Sequence, residues 1–571
     1  MAKHYTLVLF FSLFTHFCLA ETVVTIDPAT TYQTIQDFGA SDCWMADYLG
    51  RYFSEAERVK AARWLFSQQL KADGSPEGIG LSCWRVNIGA GSATQGADSN
   101  ISDETRRTEC FLNADGTYDW TRQQGQQWFM QQAKQYGVDH FLLFSNSAPI
   151  YYTANGKANA NNQSISCNLQ STNFSKFAEF LATVTEHFTQ EGYNVTYIDP
   201  VNEPQFDWRD GQEGSPWTNS DIASLVKQLD KSLQAKTLQT KILLPEAAKL
   251  TCLYGGNEKR GNRQAEAFFN PTSAYYVGNL PTVAPILAGH SYWTFGNNND
   301  LKTVRQRVND EAAKWGVAAM QTEWSMLDAP PSTDTGFPAS YEAASKMDIA
   351  LFMGKLIQCD LVFGNMVGWH YWTAFSTQRY SQKNRFYLLR VNAKGDTGEE
   401  SYGDIKQGGT ISQDKNLWVL GQFSRFIRPG YKRISLSGAE SMNGLMGSAY
   451  LSPDGNQVVA VFVNTAKSAE TISLQLADAS RTVSKVSKYT TNATWNMQSD
   501  QNTPQTGSIP IPARAVVTLV LTLSGTDDLK PAHQSNTSAA VYSLNGTSIA
   551  TPALHGIYIQ NHKKFVKHIN N

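Results

Sequence analysis

Short apolar runs alternate with longer amphipathic stretches between residue 22 and about residue 375. The apolar runs have the length of strands, and polar or turn-forming residues follow each of them. In the longer stretches, apolar positions recur every three or four residues, which is typical of helices that pack one face on a core. The predicted strands span residues 35–40, 81–88, 140–145, 195–200, 241–245, 286–292, 317–322 and 366–372. The predicted helices span residues 54–70, 122–136, 173–190, 220–235, 301–315 and 340–358.

This alternation predicts an α/β fold, a (β/α)8 TIM barrel over residues 35–410. A doubly wound open sheet has the same alternation of strands and helices. The number of strands, eight, and the acidic residues that recur where strands end favour the barrel.

The pattern changes to a period of two from about residue 417, with turn signals such as Pro453-Asp454-Gly455 between the runs. Residues 411–524 are therefore predicted to form an accessory antiparallel β-sandwich domain. Residues 21–34 precede the barrel and are predicted to contribute a strand to this β domain.

The first residues, 1–20, have the pattern of a signal peptide. Lys3 gives a positive start, residues 7–14 are apolar but too short to span a bilayer, and Ala20 ends a small-residue cleavage site. A buried N-terminal strand is the alternative. We expect export to the periplasm, the cell surface or the medium, and no later run is apolar enough for a membrane span.

Residues 525–571 differ again in composition. Residues 525–539 are rich in Ser, Thr and Asp, as in a linker. The segments around Val541 and Tyr558 resemble the short C-terminal sorting element of many exported Bacteroidetes proteins, which implies a bacterial source of that kind. A frayed β-hairpin is the alternative.

The bulk composition excludes some classes of partner. The 571-residue chain has 48 basic and 50 acidic residues, so its net charge of −2 argues against nucleic acid or an anionic membrane as the main partner. Six cysteines follow residue 20, none in metal-binding spacing, and one or two disulfides are possible. We expect a monomer.

Two glutamates carry the candidate chemistry. Glu203 lies in Asn202-Glu203-Pro204 after the fourth predicted strand, and Glu323 lies in Thr322-Glu323-Trp324 after the seventh. The carboxyl ends of barrel strands form the active-site face. A pair of carboxylates there is what the cleavage of a glycosidic bond requires, one as an acid and one as a nucleophile.

Other residues at the strand ends are predicted to bind substrate. Asn202 would hydrogen-bond a sugar hydroxyl, Arg85 would keep Glu323 ionised, and His290 or Tyr292 would hydrogen-bond the nucleophile. For most of them a purely structural role is the alternative, and Glu246 is interpreted as a binding or structural group. The predicted substrate-binding residues are Trp44, Arg85, Asn146, Asn202, His290, Tyr292, Trp324 and Trp369.

From about residue 23 to residue 523, the chain resembles glycoside hydrolase family 30. The matching segments are Asp-Phe-Gly-Ala-Ser at 37–41, the two glutamate motifs, and residues 420–430, which are the most specific to the family. The resemblance implies that Glu203 is the acid/base and Glu323 the nucleophile of a retaining enzyme. It implies no metal or organic cofactor.

Within that family the chain is most similar to endo-β-1,6-galactanases. Phe-Ser-Asn-Ser at 144–147 departs from the Trp-Ser-x-Pro pattern of several other members. The alternatives are a β-1,6-glucanase, a glucosylceramidase-like or a xylan-active enzyme. A non-catalytic glycan-binding barrel and a structural surface protein are further hypotheses. The expected partner is a polysaccharide or oligosaccharide.

Overall fold

A computed structural model describes residues 21–378, 383–397, 402–505 and 507–524, together with four short strands near the C-terminus. The helices are α1 (Met45–Tyr52), α2 (Glu55–Phe66), α3 (Ser92–Gln95), α4 (Gln124–Gln135), α5 (Phe174–Gln190), α6 (Asn219–Ala235), α7 (Thr251–Tyr254), α8 (Gln264–Phe269), α9 (Asn298–Trp315), α10 (Lys346–Val362) and α11 (Lys415–Ser424). The strands up to the end of the barrel are β1 (Thr22–Thr34), β2 (Asp37–Ser41), β3 (Cys83–Asn87), β4 (His140–Phe144), β5 (Val195–Asp199), β6 (Lys241–Ala247), β7 (Val283–His290), β8 (Ala318–Trp324) and β9 (Met366–Tyr371).

The later strands form smaller sheets and the accessory domain. They are β10 (Phe375–Ser376), β11 (Leu389–Asp396), β12 (Tyr402–Gln413), β13 (Lys432–Ser437), β14 (Leu445–Leu451), β15 (Gln457–Asn464), β16 (Glu470–Leu476), β17 (Thr482–Thr491), β18 (Gln498–Asp500), β19 (Ser508–Ile511), β20 (Ala515–Ser524), β21 (Val541–Tyr542), β22 (Ser548–Ile549), β23 (Gly556–Gln560) and β24 (Lys563–Lys567).

Strands β2 to β9 close into a barrel of eight parallel strands, so the predicted (β/α)8 fold is confirmed. Each predicted strand is present, with its ends shifted by a few residues at most. The prediction succeeded because parallel barrel strands are buried on both faces and therefore form continuous apolar runs. Glu203 follows the fourth barrel strand, β5, and Glu323 lies near the end of the seventh, β8.

The barrel has two apolar layers. One fills the interior of the barrel and includes Leu142, Leu243 and Met320. The other lies between the strands and the surrounding helices. The helices α6 and α10 begin with capping boxes, in which Thr218 and Ser345 exchange hydrogen bonds with the acidic residue three positions later. These caps satisfy backbone N–H groups that a helix start leaves unpaired.

The accessory β domain is a largely antiparallel sheet of nine strands in the order β18-β17-β20-β15-β14-β13-β1-β16-β19. The predicted antiparallel β domain is therefore confirmed. Strand β1, from the start of the chain, pairs antiparallel with β13 and parallel with β16. It lies between two strands that are more than four hundred positions later in the sequence.

The region between barrel and β domain differs from the prediction. Strands β10, β11 and β12 form a separate three-stranded sheet. Residue 411, the predicted boundary, lies within β12, and helix α11 then packs against α10 of the barrel. The polar residues of β11 and β12 lack the apolar run that marks a buried strand, so the pattern did not reveal them.

The chain divides into two compact units, one up to Ser524 and one from Gly525. The second unit contains an antiparallel sheet in the order β22-β21-β23-β24. The predicted signal peptide and the linker at 525–539 lie outside the described residues. Within the described part, no helix has the length and apolar character that crossing a membrane requires. All six cysteines there are free thiols, so none of the possible disulfides is present.

Candidate active site

Glu203 lies in the loop directly after β5, at the carboxyl end of the barrel. Its φ of 45° is in the left-handed region, which is uncommon for a residue with a side chain. The backbone N–H of Glu203 donates to the carbonyl of Glu246 at 2.9 Å, and the indole N–H of Trp208 donates to the carbonyl of Glu203 at 3.1 Å. The backbone at Glu203 is therefore held from two sides in a conformation that costs free energy.

Glu323 reaches the same opening from β8. The Arg85 guanidinium donates to Glu323 Oε2 at 2.7 Å, and the Tyr292 hydroxyl donates to Oε1 at 3.2 Å. Both carboxylate oxygens thus have a hydrogen-bond donor, one of them charged. These two hydrogen bonds hold the carboxylate in one orientation, as positioning of a nucleophile requires.

His290, at the end of β7, lies between the two glutamates. Its Nδ1 is 2.9 Å from Glu203 Oε1, and its Nε2 is 3.1 Å from Glu246 Oε2. Burial alone would lower the pKa of His290, but the charge of Glu323 and the hydrogen bonds to Glu203 and Glu246 raise it to about 10. His290 is therefore an imidazolium that donates to a carboxylate on each side.

Arg85 and two further carboxylates lie directly beneath this opening. Besides Glu323, Arg85 donates to Glu246 at 2.9 Å and to the amide oxygen of Asn202 at 3.2 Å. Its Nε lies 3.9 Å from Asp199, the last residue of β5. Burial, followed by the charge of Glu246, raises the pKa of Asp199 well above its ordinary value. Four carboxyl groups thus surround two cationic side chains, and the four cannot all be ionised at little cost.

Glu203 is the member of this cluster whose protonation matters for the cavity that it lines, and its pKa reflects the excess of carboxyl groups. Burial raises its pKa, the charge of Glu323 adds to that effect, and the contact with His290 opposes it. The resulting pKa is about 7. Glu203 is therefore able to hold a proton at neutral pH and to release it, as a general acid must.

The two glutamates are close to each other. One carboxylate oxygen of Glu203, one of Glu323 and a ring nitrogen of His290 all lie within 4.8 Å of one another. The same spacing would suit a metal ion, but both ring nitrogens of His290 already contact carboxyl groups of the protein, Glu203 and Glu246. The donor set therefore suits two carboxylates acting on a bound molecule better than it suits a cation.

A cavity of about 350 Å³ opens above the two glutamates. Its walls are mainly aromatic, which suits the apolar faces of sugar rings, and Asn202 and Tyr292 supply polar groups beside the carboxylates. The aromatic residues that line it are Trp44, Phe206, Trp208, Tyr292, Trp293, Trp372, Phe375 and Phe386.

Two family models match this chain. Residues 21–386 match O-glycosyl hydrolase family 30, and residues 430–519 match the glycosyl hydrolase family 30 β-sandwich domain. The chain belongs to glycoside hydrolase family 30. The resemblance of the sequence motifs is thereby confirmed, and the two matched regions correspond to the barrel and the accessory β domain.

Individual relatives of this family 30 chain differ in what they act on. It is 28% identical over 248 residues to the endo-β-1,6-galactanase of Hypocrea rufa, a match that covers 40% of this chain and 50% of that protein. It is 23% identical over 366 residues to the glucuronoxylanase XynC of Bacillus subtilis (strain 168), covering 64% of this chain and 70% of that protein. A solved structure of a conserved exported protein from Bacteroides fragilis has a TM-score of 0.80 and 32% identity, over 87% of this chain and 100% of that one. The chain spans half the length of the first of these relatives.

The structure brings most of the predicted site residues of this family 30 chain together. Trp44, Asn202 and Tyr292 line the cavity with the two glutamates, while Arg85 and His290 lie beneath it and contact the glutamates directly. Asn146 does not line the cavity. Its side-chain amide donates to the side chain of Asn87 at 3.2 Å.

Two predicted substrate-binding residues are placed elsewhere. Trp324 is 1% exposed and packs against Phe295 and Trp369 in the core between barrel and helices. Trp369 is fully buried, and its indole N–H donates to Asp360 on α10 at 2.9 Å. The register of β8 against β9 shifts twice near these residues, so a position at a strand end does not fix the direction of the side chain. The structure therefore does not bring Trp324 and Trp369 to the cavity with the other predicted site residues.

Several cavity residues were not predicted. Trp208 is seated against Gly214, where an added Cβ would come within 2.5 Å of the indole ring. Trp293 directly follows Tyr292 and is 44% exposed, so its indole ring is available to a molecule in the cavity. The signal in the sequence that could have pointed to Trp293 was its position next to Tyr292, a predicted site residue. Nothing in the sequence near Trp208 distinguishes it from a core tryptophan.

Proposed function

We propose that this family 30 chain is an exported, retaining β-glycosidase that acts on a polysaccharide, and that its substrate is β-1,6-galactan cleaved within the chain. The observation that carries the proposal is the spacing of less than 4.8 Å between carboxylate oxygens of Glu203 and Glu323. Retaining glycosidases have carboxyl groups about 5–5.5 Å apart, whereas inverting enzymes need about 6.5–9.5 Å to admit a water molecule. The close pair therefore supports a double displacement.

In the first step, Glu323 attacks the anomeric carbon of the sugar as the bond to the leaving oxygen breaks. Glu203, whose pKa is about 7, gives its proton to that oxygen. A covalent glycosyl–enzyme ester to Glu323 results. Arg85 and Tyr292, which donate to Glu323, orient the attacking carboxylate.

In the second step, the ionised Glu203 takes a proton from a water molecule. The water oxygen then bonds to the anomeric carbon, and Glu323 leaves as a carboxylate. Two inversions restore the original configuration at that carbon. The imidazolium of His290, 2.9 Å from Glu203, stabilises the negative charge that Glu203 carries between the two steps.

The proposed substrate rests on similarity and on the cavity. The relative from Hypocrea rufa is an endo-β-1,6-galactanase, and the aromatic walls around Trp44 and Trp293 suit a neutral sugar chain. Digestion of β-1,6-galactan, β-1,6-glucan and glucuronoxylan, with sizing of the products, tests this choice. We expect a ladder of short oligosaccharides from β-1,6-galactan alone. Release of products only from another glycan would contradict the substrate but leave the mechanism standing.

The mechanism is tested by chemical rescue of Glu323→Gly with azide. Azide fits the space left by the carboxylate and attacks the anomeric carbon from that side, so we expect a glycosyl azide of inverted configuration. Glu246→Gly is the matched control, because Glu246 is a buried carboxylate of the same cluster that does not line the cavity. A glycosyl azide from the control, or none from Glu323→Gly, would contradict the assignment of the nucleophile.

Export is supported by the signal-like pattern of residues 1–20 and by the relative described as an exported protein of Bacteroides fragilis. We expect the mature chain to begin at Glu21. Expression in a Gram-negative host, fractionation and N-terminal sequencing would show this. An uncleaved chain recovered from the cytoplasm would contradict it.

A further inference from the structure

The outer face of helix α4 has an unusual composition for a helix that faces solvent. Such a face normally carries charged residues, as α9 does along its whole length. Helix α4 contains no acidic residue and a single lysine. Its exposed or half-buried residues recur at the spacing that places them on one side of a helix, and they are Gln124, Gln127, Trp128, Gln131, Lys134 and Gln135.

This face lines a groove of about 770 Å³ on the outside of the barrel. The other lining residues are Trp120 and Thr121, which precede α4, and Glu191 and Tyr193, which follow α5. None of these residues lines the cavity above Glu203 and Glu323. The α4 groove is therefore separate from the catalytic cavity.

We propose that the α4 groove binds a strand of neutral polysaccharide at a distance from the residues that cleave it. The proposal goes beyond the proposed glycosidase function, because it adds a second place where the protein holds a polymer. It rests on the proposed function only for the choice of sugars in the test. A second contact of this kind raises the effective concentration of the polymer at the catalytic cavity.

Two aromatic rings in the α4 groove are held by contacts within the protein. The Trp120 ring lies parallel to the ring of His187, with 3.8 Å between their centroids. The Arg58 guanidinium lies 4.8 Å from the centroid of the Trp128 ring. Both tryptophans are half-buried, so part of each ring remains open to a ligand. Fixed aromatic rings suit the apolar faces of sugars and lose little entropy on binding.

Glutamine amides supply the polar groups of the α4 groove. The Gln127 side chain is fixed, because its Nε2 donates to the backbone carbonyls of Trp120 at 2.8 Å and of Arg122 at 2.7 Å. Its amide oxygen is the atom that it offers to a ligand. Gln124 and Gln131 are exposed and carry both donors and an acceptor. Sugar hydroxyls donate and accept hydrogen bonds, so uncharged amides match them.

The charges that line the α4 groove balance each other. They are one cation, Lys134, and one anion, Glu191. The Lys134 ammonium donates to the backbone carbonyl of Glu191 at 2.9 Å and lies 4.9 Å from the centroid of the Tyr193 ring. It thus lies at the end of α5, where the helix dipole favours a cation. An anionic glycan would have to compete for Lys134, so a neutral glycan is the better match.

The dimensions of the α4 groove suit several sugar units. Helix α4 has 12 residues and is therefore about 18 Å long. Its first residue, Gln124, and its last, Gln135, both line the groove. The volume of about 770 Å³ also exceeds the 350 Å³ of the catalytic cavity. An elongated site of this size fits a length of polymer better than a single sugar.

Affinity electrophoresis of the full chain, in gels that contain soluble β-1,6-galactan, β-1,6-glucan or glucuronoxylan, tests the proposal. Every protein carries Glu323→Gln, so that the polymers stay intact. We expect a neutral polymer to retard the parent protein, and Trp128→Ala to weaken its affinity about tenfold. Trp315→Ala is the matched control, because Trp315 is a half-buried tryptophan of helix α9 with the Lys314 ammonium 4.6 Å from its ring centroid. It does not line the groove and should bind like the parent.

Gln131→Ala is the second variant if Trp128→Ala fails to fold, because Gln131 is exposed and alanine favours a helix. It should weaken the affinity by about threefold through the loss of hydrogen bonds. Gln306→Ala, at an exposed glutamine of α9, is its control. No retardation of the parent, unchanged affinity in the folded groove variants, or an equal loss in the controls would overturn the proposal. Tighter binding of glucuronoxylan than of both neutral polymers would overturn its neutral character.

Failure of the proposed function is recognised separately, in proteins that keep Glu323. Hydrolysis of an aryl β-glycoside reports on the catalytic cavity, and Trp128→Ala should leave that rate unchanged while lowering kcat/KM on the polymer. If aryl glycosides are hydrolysed and all variants bind the polymers equally, the function stands and the polysaccharide site falls. If no substrate is hydrolysed and Trp128→Ala alone loses affinity, the site stands and the function falls.

Discussion

Two buried clusters of histidine and carboxylate lie inside the same barrel, one at each end. At the carboxyl end, His290 contacts Glu203 and Glu246. At the amino end, Asp37 lies 3.0 Å from His140 and 2.7 Å from His370. The residue types are the same, and the first cluster borders the cavity described above.

The difference lies in the balance of charge. Asp37 is one carboxylate between two histidines. Burial alone would raise its pKa, but the charge of His370 and the hydrogen bonds of both histidines lower it. At the other end carboxyl groups outnumber cations, and Glu203 keeps a proton to about pH 7. Where carboxyl groups outnumber cations, one of them can thus hold and donate a proton. Where histidines outnumber carboxyl groups, the carboxylate stays in a stable ion pair.

The largest expected effect is on activity, which should depend on the cluster at the carboxyl end and not on the one at the amino end. Glu323→Gln keeps the size of the side chain but removes the nucleophile, so kcat should fall by a factor on the order of 10⁴ or more while the fold survives. Steady-state kinetics and thermal unfolding measure both quantities. Asp37→Asn serves as the comparison and should retain kcat at temperatures where it is folded. A similar loss of kcat in both variants would contradict the expectation that only the cluster at the carboxyl end takes part in catalysis.

The second prediction concerns stability, to which the cluster at the amino end should contribute through Asp37. Asp37→Asn leaves histidines without their buried partner, and the free energy of unfolding should fall by about 3 kcal/mol at pH 7. Because the folded-state pKa of Asp37 is depressed, its contribution is present above the unfolded value of about 3.9 and is lost as the pH falls. Urea unfolding measures this. The difference in the free energy of unfolding between Asp37→Asn and the wild type should be smaller at low pH than at pH 7. Asp115→Asn, at an exposed site, should leave the free energy of unfolding close to that of the wild type.

The smallest effect concerns the pH profile. The general acid must be protonated, so kcat/KM should fall as the pH rises through the pKa of Glu203, about 7. His290 holds that pKa down, so His290→Gln should move the alkaline limb upwards by about one pH unit. His140→Gln alters the other cluster and should leave the limb in place. A limb that stays fixed or moves down in His290→Gln would show that His290 does not set the pKa of Glu203.

The sequence was sufficient to predict the barrel and the two glutamates. Eight buried strands leave eight apolar runs, and the polar residues that end them must meet at one edge of a closed barrel. Arg85 could be paired with Glu323 in advance, because a buried arginine on a barrel strand needs a carboxylate.

Other features depend on contacts that no local pattern reports. Asp199 and Glu246 owe their role to the four-carboxylate cluster, which arises only when the barrel closes. Trp324 and Trp369 lie in the core instead of the cavity, and the register of β8 against β9 shifts near them, which the sequence pattern does not report. A cavity of about 220 Å³ beside the catalytic one is built from α1, the segment between β3 and α4, and Lys406 on β12, which are far apart in the sequence.

Strand β1 precedes the other described strands of the accessory β domain, yet its partners lie about 400 residues later. Thr25 pairs with Ser437 and Val24 with Leu474. At ~5–20 residues per second, ribosomes deliver those partners about 400 residues later, on the order of 20 to 80 s after β1 emerges. All eight barrel strands precede these partners in the chain, so β1 stays an unpaired edge, which invites aggregation, until they are available. When it inserts between β13 and β16, it ties the beginning of the chain to its late segments, so a nascent chain released early would lack the strands that β1 needs.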